Sequence, residues 1–179
     1  MQIPNFTYHE QPISTGVIES SSATCSCCGQ KRGFVYSGPV RITNQQVTEP
    51  EELCPWCIAD GSAAKKYQLV FVRPGFLASN NLQGDIVSTV TCRTPGYSSW
   101  QEPVWLCHCE DACVFCGDLT EEEAQQPDWM AVAEFLGEPL EQAKTSWLSI
   151  ASLYKQADPS IFKFRCRHCG KVFYQLDSP

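Results

Sequence analysis

Apolar residues recur at two different periods along this chain, and the change of period divides it. Through residues 1–23 they are scattered among polar and turn-forming residues, with the Ser-rich ESSSAT at the end; this predicts an extended N-terminal arm. From 24 to 67, Phe34, Val35 and Tyr36 precede Gly38-Pro39, and Val40 and Ile42 follow it, which predicts two short strands around a turn. The stretch IADGSAAKKY predicts a helix in spite of Gly61. Next, YQLVFV is a strand candidate ended by Pro74-Gly75, and RTPGYSSWQEPVWL reads as an aromatic-rich loop.

Between 118 and 155 the period becomes helical. Thr120 with Glu123 spells a capping box, and Pro127 suits a first helical turn. Trp129, Val132 and Leu136 recur at helical spacing, and a second helix from near Pro139 carries Leu140, Ala143, Trp147, Ala151 and Tyr154 on one stripe. The final IFKFRCRHCGKVFYQL places strand-forming residues on both sides of Cys166-Arg167-His168-Cys169-Gly170. The fold class is therefore α+β, organised as an arm (1–23), a small module (24–67) and an α+β region (68–179).

Composition changes this picture in one respect. A chain of 179 residues with 43% hydrophobic residues suits a globular protein, but twelve cysteines are unusual. The opening MQIPNFTYHEQPIST has neither a basic nor an apolar signal region, and no run approaches the ~18 apolar residues of a membrane span. The expected location is cytoplasmic, where thiols persist as metal ligands rather than disulfides.

The spacing of the thiols is specific. Cys25 and Cys28 form one Cys-x-x-Cys pair followed by Gly29, and Cys54 and Cys57 form another after 25 intervening residues. Short strands followed by a pair that opens a helix match a treble-clef-like arrangement, in which four thiolates close a tetrahedron around structural zinc. A redox reading of Cys54-Pro55-Trp56-Cys57 requires an apolar strand running into the motif. The preceding TEPEEL is no such strand. Cys27 is left over as a free thiol.

Cys166 and Cys169, with Gly170, form a second knuckle in a ribbon-like hairpin and need two more ligands. The pool is Cys107, His108, Cys109, Cys113 and Cys116. Cys109 and Cys113 would lie one helical turn apart, whereas Cys113-x-x-Cys116-Gly117 copies the knuckle signature; spacing alone leaves both open.

Catalytic patterns are missing. There is no His-Glu-x-x-His, no deaminase pattern, no Gly-rich phosphate loop and no nucleophile elbow. His108 and His168 read as surface groups or as neighbours of a metal ligand. Trp129 and Trp147 read as core, and burial is also the simpler expectation for Trp100 and Trp105.

The net charge of −7 is localised. From Thr94 to Ala143 there is no Lys or Arg, while eleven Asp and Glu occur. Such a run reads either as a solvated face or as a docking surface for a basic partner. The C-terminal FKFRCRHCGKVFY interleaves four bases with aromatics in the manner of a base-stacking platform, which supports nucleic-acid binding as the alternative.

The stretches CSCCGQKRGFVYSGPV, LCPWCIADGSAAKKY, RTPGYSSWQEPVWLCHCEDAC and FRCRHCGKVFYQLD together resemble the CbrC family of small bacterial proteins over almost the whole chain. That family's name is tied to tolerance of colicin E2, a nuclease toxin. Its pattern keeps the equivalents of His108, Cys109 and Cys113, so the resemblance implies Cys109, Cys113, Cys166 and Cys169 as the second site. The expected function is a non-enzymatic, zinc-stabilised protein-interaction module linked to toxin tolerance or immunity, whose acidic 94–143 segment docks a basic nuclease. A thiol redox protein is the remaining alternative.

Overall fold

The computed structural model describes residues 2–154 and 160–177. Its elements are β1 (Ile18–Ser20), β2 (Phe34–Tyr36), β3 (Arg41–Ile42), α1 (Pro55–Ala59), α2 (Ser62–Tyr67), β4 (Leu69–Val70), α3 (Gly75–Ser79), α4 (Gly84–Arg93), β5 (Cys107–His108), β6 (Asp111–Ala112), β7 (Val114–Asp118), α5 (Glu121–Gln125), α6 (Trp129–Leu136), α7 (Leu140–Tyr154), β8 (Ser160–Arg165) and β9 (Val172–Asp177). The protein is mixed α+β with small sheets. β7, β8 and β9 form a three-stranded antiparallel sheet; the other strands pair as β1–β2, β3–β4 and β5–β6, all antiparallel.

Several elements depart from the hydrophobic pattern for local reasons. β2 and β3 flank Gly38-Pro39 as expected but pair with β1 and β4, not with each other. The helix after Cys54 is broken into α1 and α2 at Gly61, whose φ of 78° lies in the left-handed region that glycine adopts without steric cost. The capping box of α5 forms as its residues dictate, with Glu123 N donating to Thr120 Oγ1 and Thr120 N to Glu123 Oε2. Asp128 caps α6 by accepting from Met130 N and Ala131 N, which leaves Pro127 just before the helix and not in its first turn.

Three apolar clusters make the core. The first surrounds α1 and α2 and includes Phe6, Val17 and Ile18. The N-terminal segment packs against the body of the protein: Tyr8 and His9 are buried, and Phe115 N donates to Tyr8 O at 2.8 Å. The second is aromatic, with Tyr97 stacked on Phe115 (4.2 Å between ring centres) and Trp105, Phe162 and Phe164 around them. The third lies under the helices, where Trp147 is buried and donates from Nε1 to Ala124 O. Ala143 and Trp147 carry the buried stripe of α7; the side chains of Ala151 and Tyr154 lie outside the described residues. Among the described residues, no helix is long and apolar enough to cross a membrane.

Candidate metal centres

Two tight turns of the same design carry the paired thiols. In the first, Cys25 N donates to Gln30 O and Gly29 N to Cys25 O; in the second, Cys166 N donates to Lys171 O and Gly170 N to Cys166 O. Gly29 (φ 69°) and Gly170 (φ 74°) take the left-handed conformation that turns the chain back after the second thiol. The first turn is further held by α2: Lys66 Nζ donates to the carbonyls of Ser26 and Cys27, and Tyr67 Oη to that of Ser26.

Cys54, at the N-cap of α1, and Cys57, in its first turn, face this knuckle. The four sulfurs of Cys25, Cys28, Cys54 and Cys57 lie within 4.8 Å of one another. Neighbouring sulfurs are 3.6 Å (Cys54–Cys57), 3.8 Å (Cys28–Cys54) and 3.9 Å (Cys25–Cys57) apart. Tetrahedral zinc with bonds of about 2.3 Å requires sulfur separations of about 3.8 Å, so this donor set fits that ion closely. Burial works against ionising Cys25, but the N–H groups of Cys28, Cys54 and Cys27 outweigh it and draw its thiol down to about 7. Burial pushes Cys54 up to about 11 and Cys57 upward as well, and the adjoining thiols add to this. Four thiolates at these distances repel one another strongly, and a dication removes that penalty. Four cysteines leave zinc no open position, so the ion would act as a cross-link between the knuckle and α1.

The second group differs from its expected membership. His108, Cys109, Cys166 and Cys169 offer donor atoms within 4.8 Å of one another. His108 Nδ1 lies 3.1 Å from Cys109 Sγ and 3.5 Å from Cys169 Sγ. Cys113 is not in the group. It precedes β7 in the apolar core, fully buried, with its N–H on Leu106 O, its carbonyl on Trp105 Nε1, and its thiol pushed up to about 12 by burial. The expectation of a helical turn joining Cys109 to Cys113 fails because 107–112 is a β-hairpin with a two-residue loop. Cys109 (φ 51°) and Glu110 (φ 59°) both take positive φ, the type I′ geometry that such hairpins require. This turn swings Cys109 back beside His108. Cys116 sits at a bulge in β7, so Cys113-x-x-Cys116 forms no knuckle. The one sequence signal for His108 is its place beside Cys109; the hairpin tip that brings them together carries no turn signature. A Cys₃His set also suits zinc.

Asp111 locks this hairpin to the second knuckle. Its buried carboxylate accepts from Tyr8 Oη (2.7 Å), Arg167 Nη1 (2.8 Å) and His168 Nε2 (2.9 Å). Burial alone would raise its pKa, yet the hydrogen bonds from Tyr8 and His168 and the Arg167 charge hold it below the ordinary carboxylate value.

The same pairing explains the charge pattern. Of the eleven acids between Thr94 and Ala143, Glu102 pairs with Arg41 and Arg73, Asp111 with Arg167, Glu123 with Lys163, Glu134 with Lys171 and Glu141 with Lys144. The bases missing from the segment come from elsewhere in the chain. All four bases of the C-terminal hairpin are consequently engaged, Arg165 with Glu10. Its Phe162 and Phe164 are buried.

The loop before β5 presents a contrast of its two tryptophans. Trp105 is buried, whereas Trp100 is 64% exposed. Buried Asp177 pins this loop, accepting from Ser99 Oγ (2.8 Å), Trp100 N (2.8 Å) and Gln101 N (3.1 Å). Trp100 separates two clefts. One of about 270 Å³ is lined by Asp118, Ser160 and Asp177, and one of about 490 Å³ by Pro39, Arg41 and Glu102.

Comparison with known proteins gives the family. The model of an uncharacterised protein family, UPF0167, matches residues 3–178. A UPF0167 protein of Pseudomonas aeruginosa is 43% identical over 176 residues, covering 98% of this chain and 97% of its own. UPF0167 proteins of Mycobacterium bovis and Mycobacterium tuberculosis are each 34% identical over 172 residues, covering 94% of this chain and 90% of theirs. No solved structure matches. With relatives aligned along nearly their whole lengths, the chain belongs to the UPF0167 family.

Proposed function

We propose that this chain is a non-enzymatic protein-interaction module in the cytoplasm, stapled by a treble-clef-like zinc site and a ribbon-like second one. In its most concrete form it is the CbrC-type protein that the sequence resembles, and it contributes to toxin tolerance by docking a basic nuclease domain through segment 94–143.

One observation carries the reading: Trp100, 64% exposed, stands on a loop whose backbone is fixed by a buried carboxylate. Large aromatics held rigid at a surface are characteristic anchors of binding hot spots, because little conformational entropy is lost when they dock. Asp118 borders the cleft beside the indole. Carboxylate and aromatic face together suit an inserted Lys or Arg side chain, which a nuclease's positive surface offers in abundance. With five of its acids already paired internally, the segment supports docking at this cleft rather than through a diffuse negative field.

Against the nucleic-acid alternative stand the ion pairs on the four bases of the C-terminal hairpin and the burial of Phe162 and Phe164. The thiol redox reading of Cys54-Pro55-Trp56-Cys57 is weakened by the gathering of both its thiols with Cys25 and Cys28 into one four-donor group.

Calorimetry with a purified colicin E2-type nuclease domain tests the proposal. Expected are micromolar or tighter binding and a loss of about tenfold or more on Trp100→Ala, with a comparable loss on Asp118→Lys. No binding by the unaltered protein removes the toxin reading. Binding indifferent to both substitutions removes the surface.

A further inference from the structure

The two candidate centres are built from matching knuckles but meet solvent very differently. At the first, Cys25, Cys54 and Cys57 are at most 3% exposed, and Cys28 alone reaches the surface. At the second, Cys166 is buried, while Cys109 and Cys169 are both exposed and His108 is half-buried. The second group thus has two accessible thiols whose sulfurs lie within 4.8 Å of each other. The first has one, whose neighbours are all enclosed.

A second difference lies in the backbone. Cys109 and Glu110 hold left-handed conformations without being glycine. Such conformations are unfavourable for residues with a Cβ and persist where the surroundings over-determine them. At the first centre the positive φ falls on Gly29, and Cys25, Cys28, Cys54 and Cys57 all take ordinary backbone conformations. Cys109 is therefore a ligand whose position is strained and whose sulfur faces water.

We propose that the His108–Cys109–Cys166–Cys169 centre is an exchangeable, peroxide-responsive zinc site, whereas the Cys25–Cys28–Cys54–Cys57 centre is permanent. This rests on the reading of both groups as zinc sites. In the first step the exposed Cys109 thiolate attacks one oxygen of hydrogen peroxide. The O–O bond breaks, Cys109 becomes the sulfenic acid, and the departing hydroxide takes up a proton to leave as water. The Cys169 thiolate then attacks the Cys109 sulfur; a second hydroxide leaves and is protonated, and the Cys109–Cys169 disulfide forms. Two thiolates have lost two electrons, one peroxide and two protons have become two waters, and the zinc ion departs, since His108 and Cys166 alone make an incomplete set.

The change remains local. Asp111 bonds to Tyr8, Arg167 and His168, none of them in the four-donor group, and β8–β9 pairs over six residues on either side of the knuckle. What becomes free is the hairpin tip and its junction with the loop that carries Trp100.

Native mass spectrometry of the reduced, zinc-loaded full-length protein, followed through a peroxide titration with alkylation mapping, decides the matter. Two ions are expected at the outset. A species with one ion and one disulfide, mapped to Cys109 and Cys169, should accumulate before any ion-free species, its ion leaving about tenfold faster or more than the other. Cys169→Ala should abolish that disulfide, and far-ultraviolet circular dichroism of the unaltered protein should not change through the first step. Release of both ions in one step, or alkylation of Cys25, Cys54 and Cys57 when the first ion leaves, overturns the assignment. Fewer than two ions before any peroxide is added instead refutes the second centre itself.

Discussion

His9 offers the sharpest quantitative test of how the N-terminal segment is held. The ring is fully buried, edge-on to Phe115, with Nδ1 2.9 Å from the Pro95 carbonyl and Nε2 2.7 Å from Thr15 Oγ1. Pro95 can only accept, so Nδ1 carries the proton and Nε2 accepts from the Thr15 hydroxyl. Burial holds the imidazolium form down, and although the Pro95 carbonyl pulls the other way, the pKa falls from 6.5 to about 4. In the unfolded chain His9 titrates near its ordinary value. The folded state therefore prefers the neutral ring, and this contribution is fully present above pH 6.5 and lost as pH falls towards 4. The whole difference is worth about 3 kcal/mol, of which about 2 kcal/mol has gone by pH 5. Urea unfolding of the unaltered protein and of His9→Asn at pH 7 and pH 5 measures it. Acid release of metal is common to both proteins, so the comparison isolates His9: the variant should lose about 2 kcal/mol less stability between the two pH values. Equal losses, or a His9 ring that titrates near 6.5 by nitrogen NMR, would refute the reasoning.

Three further outcomes follow from named contacts. His108→Ala should reduce the metal content by one ion per chain, whereas Cys113→Ala should leave the count unchanged and cost about 1 kcal/mol for the lost core sulfur; elemental analysis and denaturation separate the two. Asp177→Ala should cost about 2–3 kcal/mol by leaving Ser99 and the amides of Trp100 and Gln101 without their acceptor, and hydrogen exchange at those amides should accelerate. Gly96→Ala should destabilise by about 2 kcal/mol or more in thermal denaturation, because the added Cβ would lie 2.4 Å from the Phe71 carbonyl oxygen.

Legibility in the sequence followed the range of the interactions. The knuckles are local: two thiols three apart and a following glycine dictate the turn, so Cys25–Cys28 and Cys166–Cys169 could be read directly. The capping box of α5 was equally plain. The second centre depended on a turn the residues do not advertise, since hairpin tips with positive φ usually carry Asn-Gly, and here they carry Cys109-Glu110. Helix α4 was hidden because Ile86, Val87, Thr89, Val90 and Thr91 favour strands intrinsically and only their tertiary environment makes them helical. The acidic segment looked like a free field because its counter-charges, Arg41, Arg73, Lys163, Arg167 and Lys171, lie far away in sequence.

Zinc-edge X-ray absorption on the reduced protein as purified puts the account at most direct risk. The two groups predict seven sulfur donors and one nitrogen shared by two ions, with sulfur at about 2.3 Å. A folded, compact protein with no bound transition metal, or a coordination shell dominated by oxygen and nitrogen, would contradict it.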